Sequence, residues 1–104
     1  MHLSPADRQT VMRILQIYIP GHEVWAFGSR VHGKNLKRYS DLDLAVLTDT
    51  PLPLDVLLRL RAAFSDSDLP FRVDVVDWAA ADPAFRAIIQ SSHVILMDSS
   101  RRRS

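Results

Sequence analysis

The chain has 104 residues, 47% of them hydrophobic and 24% charged, with a formal net charge of +1, a length and balance that suit one compact globular domain and leave little room for a second. The near-neutral charge gives no global field favouring nucleic acid; no apolar run approaches the roughly 20 residues that span a bilayer, and no basic segment followed by an apolar core opens the chain. Cysteine is absent, which excludes disulfides and thiol chemistry and fits a reducing compartment, so a cytoplasmic protein without membrane contact is expected.

In chain order, Ser4-Pro5 predicts a helix start, with Ser as N-cap, Pro at the first helical position and Asp7 favourable to the helix dipole. Val11, Ile14, Leu15 and Tyr18 recur at helical spacing until Pro20-Gly21 stops them, so this helix packs on a sheet. Val24 to Phe27 is a short apolar run of β-formers that Gly28 ends, a buried strand running into a tight turn at Gly28-Ser29, with Trp25 and Phe27 in the core. A short helix follows that turn. Leu42, Leu44 and Val46 alternate with Asp41, Asp43 and Ala45, the period of a strand with one apolar face. Thr50-Pro51-Leu52-Pro53 is a connector, and Asp55 to Phe64 a second long helix. Arg72 to Asp77 predicts another strand, with Val73 and Val75 on one face and Asp74 on the other. A helix over Pro83 to Gln90 and a strand over Val94 to Met97 complete an order α-β-α-β-α-β-α-β, an alternation that by itself suggests a doubly wound sheet. Leu52, Leu54, Val56, Ile88 and Ile89 form an apolar set that suits either core or a partner surface. Trp78 suits the sheet or an interface.

Two features carry chemistry. Asp41 and Asp43 share one strand face, where they repel unless a cation sits between them. Magnesium takes hard oxygen ligands and is held by one or two carboxylates plus substrate phosphates. Taken alone, an Asp-x-Asp pair is equally an exposed strand face bearing two unrelated acids. The third acid, Asp74, on a strand able to lie beside Asp41 and Asp43, completes a triad suited to in-line displacement at phosphorus. Gly28 and Ser29 supply the other half, a turn whose backbone N–H groups and hydroxyl can hold phosphate oxygens at a helix start. Arg30 directly follows the turn, and its guanidinium suits phosphate. Lys34, Lys37 and Arg38, with His32 among them, form a basic loop that contacts phosphate or simply faces solvent. Ser40 braces the strand start or serves a plain turn, and Asp77 is a strand-end or capping acid rather than a fourth ligand.

The run Phe27-Gly28-Ser29-Arg30 to Gly33, then Ser40-Asp41-Leu42-Asp43-Leu44, resembles the signature of the polymerase-β-type nucleotidyltransferase superfamily, with Asp74 in the place of its third acid. In size the chain resembles the minimal nucleotidyltransferases, the antitoxin partners of HEPN-domain ribonuclease toxins. The resemblance covers about Ser4 to Met97, and the loop before Asp41 is slightly longer than the family's usual spacing. It implies an α+β fold with a mixed sheet and helices mainly on one face, in place of the doubly wound alternative. It implies a nucleotide site at Gly28, Ser29 and Arg30, catalytic and Mg²⁺-binding acids at Asp41, Asp43 and Asp74, and ATP as substrate. The implied reaction moves AMP onto a hydroxyl, a tyrosine of a HEPN toxin, without direct nucleic-acid binding. A partner protein would then provide the second-substrate surface that larger members carry as an extra helical domain. The rival expectation is a non-catalytic antitoxin that neutralises its toxin by occlusion. Transfer to a small molecule such as an aminoglycoside fits less well, because nothing here encloses such a ligand. Residues 1–98 are read as the domain and 99–104 as a flexible basic tail ending in Arg101-Arg102-Arg103.

Overall fold

The computed structural model describes residues 3–28, 31 and 41–98. Helix α1 spans Pro5–Tyr18, capped by the Ser4 hydroxyl, which accepts from the Asp7 N–H at 3.1 Å. Strand β1 covers Glu23–Phe27 and β2 covers Leu42–Leu47. Helix α2 runs over Leu54–Ser65, strand β3 over Val73–Asp77, and a single 3-10 turn over Trp78–Ala80. Helix α3, Pro83–Ser91, starts like α1: Pro83 follows an Asp82 cap that accepts from the Phe85 N–H at 2.8 Å. Strand β4 is His93–Met97. The four strands form one mixed sheet ordered β3-β2-β1-β4, in which β1 pairs antiparallel with both β2 and β4, and β2 pairs parallel with β3.

The period of two in each strand divides the sheet into two unlike faces. Val24 and Ala26 of β1, Leu42, Leu44 and Val46 of β2, and Val75 of β3 face α1 and α2, where they bury against Val11, Leu15, Leu60 and Phe64. Trp25, Phe27, Ala45, Leu47 and Val76 face the other way, where α3 covers them with Phe85 and Ile89. Among the described helices, α1 and α2 therefore share one face and α3 takes the opposite one, which gives the α+β architecture. A parallel pair such as β2 and β3 needs a crossover connection, and α2 provides it.

The apolar positions that sequence left open resolve individually. Ile89 is fully buried, Leu52 and Val56 are partly packed on the core, and Leu54 and Ile88 are exposed. Trp25 is half-buried: its ring stacks on His93 at 3.8 Å and meets Trp78 edge-on at 5.5 Å, while its Nε1–H donates to Glu23. Arg86 lies over the Trp78 ring and donates to the carbonyls of Trp78 and Ala79, which ties α3 to the 3-10 turn.

Asp77 is the buried acid of the described residues, and its role is structural. Its Oδ1 accepts from the Thr48 hydroxyl at 2.5 Å and its Oδ2 from the Leu52 N–H at 2.7 Å, while Thr48 Oγ1 accepts from the Ala79 N–H. One carboxylate thus staples the end of β3 to the connector after β2. Asp77→Ala strands a partly buried N–H and a hydroxyl, so chemical denaturation should show a loss of about 1–3 kcal/mol. Asp77→Asn, which keeps one acceptor oxygen, should lose less.

Candidate active site

At the N-terminal ends of β2 and β3, on the face that α3 covers further along, the apolar row Ala45, Leu47 and Val76 gives way to Asp43 and Asp74. The parallel register sets Asp43 directly opposite Asp74, and the antiparallel register sets Asp43 opposite Phe27, the last residue of β1. Asp41 stands just before β2, where the Leu42 N–H donates to the Arg72 carbonyl at 2.9 Å and ties the start of β2 to β3. The three acids expected to act together are therefore gathered at one end of the sheet. Asp43 registers this: burial, then the charge of Asp74, then that of Asp41, push its carboxyl from the ordinary 3.8 up to about 6.

Gly28 closes the site from the β1 side. Its φ is +84°, in the left-handed region that favours glycine. A Cβ there would collide with the Asp43 carboxylate, with Asp43 Cγ at 3.2 Å and Asp43 Cβ at 3.5 Å. The main chain at Gly28 thus lies against the central carboxylate because no side chain intervenes. The Val31 N–H donates back to the Gly28 carbonyl at 3.0 Å, which begins a turn after the strand. Ser29 and Arg30, expected to hold nucleotide, lie outside the described residues, as do the short helix's remaining positions and the basic loop with His32, Lys34, Lys37, Arg38 and Ser40.

The carboxylates fit a hard divalent cation by donor type, by location beside a glycine turn, and by the mutual repulsion a cation would relieve. Among the described residues no three acidic or imidazole side chains already converge as a finished ligand set. Asp74 leans instead toward Arg72, whose Nη2 lies 3.8 Å from Asp74 Oδ1, a loose and exposed pair. A cation held by two of the acids together with substrate phosphates requires less convergence than an all-protein cage. Sequence reasoning missed Arg72 and also Arg61, whose Nη2 donates to the Val75 carbonyl on the free edge of β3 at 3.0 Å. Nothing in the α2 pattern distinguishes Arg61 from a solvated helix arginine.

The mixed sheet presents paired carboxylates next to a glycine turn, an arrangement suited to nucleotidyl transfer. The chain belongs to the polymerase beta nucleotidyltransferase family, whose pattern it matches over residues 9–102. Among curated relatives it is 50% identical, over 97% of its own length and 88% of the other's, to the probable protein adenylyltransferase MntA of Haemophilus influenzae. Among solved structures it is similar to a toxin-antitoxin crystallised with AMP-PNP, with a TM-score of 0.74 at 25% identity over 92% of this chain and 77% of that one. It shares its fold with a complex of tri-AMPylated Shewanella oneidensis HEPN toxin and MNT antitoxin, with a TM-score of 0.65 at 23% identity over 91% and 72% of the two chains. No helix among the described residues is long and apolar enough to cross a membrane.

Two substitutions test this geometry. Gly28→Ala forces a left-handed alanine, which costs about 1–2 kcal/mol, and drives its methyl into Asp43, so thermal melts should show a clear loss of stability. Asp43→Asn should act in the opposite direction. A carboxyl whose folded value is raised favours the folded state while protonated, so its contribution is complete below 3.8 and is lost as pH climbs through about 6. Without divalent cation at pH 7.5 the Asn variant should therefore melt above the unsubstituted protein, and the difference should shrink steadily toward pH 4.

Proposed function

We propose that this chain is a Mg²⁺-dependent protein adenylyltransferase that moves AMP from ATP onto a tyrosine hydroxyl of a HEPN-type toxin and silences it, acting as a cytoplasmic antitoxin. The observation that carries the proposal is Asp43 standing opposite Asp74 with the Gly28 main chain against it. The relative named as a protein adenylyltransferase and the neighbour that holds AMP-PNP support the direction of transfer and the choice of adenine nucleotide. The neighbour described with an AMPylated HEPN toxin supports the acceptor.

The residues divide the work by position. Gly28 lets the triphosphate approach the backbone, and Ser29 and Arg30 are assigned to its oxygens. Asp41, Asp43 and Asp74 are assigned to Mg²⁺, which when bound supplies Lewis-acid neutralisation of charge on the reacting phosphate. Asp74 lies on the edge strand and is assigned to the acceptor side. It is suited to orient the acceptor hydroxyl and accept its proton as the oxygen closes on the α-phosphorus. Pyrophosphate leaves opposite the attacking oxygen, in line. Three mutually repelling carboxylates cost the free protein stability, and a scaffold that only occludes its toxin has no use for them.

Incubation with labelled ATP, Mg²⁺ and the HEPN partner should label the toxin. Asp41→Asn combined with Asp43→Asn removes an effect worth several kcal/mol, so the labelling rate should fall about a hundredfold to a thousandfold. Equal labelling by the double variant would end the catalytic reading. Full protection of cells by a double variant that no longer labels would favour occlusion.

A further inference from the structure

Beside the carboxylates, along the free edge of β3, lies a cavity of about 450 Å³ between that strand, the C-terminal end of α2 and the loop joining them. Arg61, Ser65, Phe71, Arg72, Val73 and Asp74 are among its walls. Asp74 thus borders both the carboxylate cluster and this cavity.

The wall chemistry specifies a ligand class. Two guanidiniums outweigh one carboxylate, leaving a local surplus of a single positive charge that suits one negative group better than a multiply charged triphosphate. Among the described residues neither guanidinium is saturated: Arg61 spends one N–H on the Val75 carbonyl, and Arg72, with its side chain 81% exposed, meets Asp74 alone in a loose pair. A guanidinium with free donors suits phosphate oxygens, which it can meet with two parallel hydrogen bonds. Phe71 and Val73 add an apolar wall suited to a sugar or a base, and the volume lies within the range of small-ligand pockets.

We propose that this cavity is an acceptor-side subsite for a nucleotidyl group already joined to the acceptor: Arg61 and Arg72 grip its phosphodiester and present its ribose hydroxyl to Asp74 for another round of transfer. This deepens the adenylyltransferase reading and rests on it. In the further round the ribose oxygen bonds to the α-phosphorus of a second ATP, and the bond from that phosphorus to the oxygen bridging the β-phosphate breaks. Pyrophosphate leaves with the electron pair, and the hydroxyl proton passes through the Asp74 carboxylate to solvent. The first acceptor, a tyrosine, carries no phosphate and does not need the arginines, so they act on chain extension.

The test uses the full chain saturated with Mg²⁺ and α,β-methylene ATP, titrated with the dinucleoside monophosphate ApA and followed by backbone amide shifts. ApA should perturb Ser65 through Asp74, and Arg72→Gln should weaken its binding about tenfold or more, as expected when a charged hydrogen bond is lost. Arg72→Lys, which keeps charge without the planar fork, should recover part of the affinity. Arg72 makes no hydrogen bond through its side chain among the described residues, so this variant leaves the fold intact, and the same spectra verify it. With the HEPN partner and ATP, intact-mass measurement should show the Arg72→Gln product stopping at one AMP while the unsubstituted protein adds more. Perturbation confined to the surroundings of Gly28 and Asp43, or an Arg72→Gln variant that binds ApA and extends the chain as before, would overturn the subsite while leaving the transferase reading standing. Failure of the unsubstituted protein to bind the triphosphate analogue would instead remove the transferase reading and this assignment with it.

Discussion

The parallel register between β2 and β3 is the constraint on which the rest depends. Strand side chains alternate faces, so a slip of one residue would send Asp74 to the α2 side, bury a carboxylate in the apolar core and expose Val73 or Val75 in its place. Several features hold the register from different directions. Val75 has to bury with Leu42, Leu44 and Val46 against α1 and α2. The Leu42 N–H reaches the Arg72 carbonyl at one end, and at the other Asp77 ties the end of β3 to Thr48 and Leu52. Burial sets which face is inside, and the polar ties fix the alignment along the strand.

That alignment concentrates negative charge at one end of the sheet, and the fold offsets the penalty elsewhere. The central carboxylate is poised by partial burial and by two neighbours of like charge. Such a site favours its occupants because they remove a repulsion already present. The glycine turn matters for the same reason, since it brings polar main chain, and no side chain, up to Asp43. The enzyme family to which the chain belongs is thus visible in the electrostatics as well as in the pattern of residues.

Much of this was legible in the sequence. The described helices and strands fall within a residue or two of where periodicity, Pro-initiated caps and glycine stops place them, because those signals are local. The placement of the acids was legible too, since strand alternation puts Asp43 and Asp74 on the face away from the α1 and α2 core without knowledge of neighbours. Other features depend on contacts distant in sequence and left no local mark. Asp77 looks like any strand-end acid until Thr48 and Leu52 are brought to it. Trp25 was expected in the core with Phe27, yet it is only half-buried, because its ring leans on His93 and Trp78 near the margin of α3. Arg61 and Arg72 read as solvated charges on separate elements, and the free edge of β3 unites them.

The aromatic group under α3 has an experimental corollary. The chain contains two tryptophans, and they touch each other there, with one of them stacked on an imidazole. Fluorescence excited selectively at tryptophan will therefore monitor a single locality, the docking of α3 on the sheet, and will be blind to events between α1, α2 and the opposite face. An emission change during unfolding dates the departure of that one helix, so an optical transition that disagrees with the circular dichroism of the whole chain would mean that the two layers separate at different times.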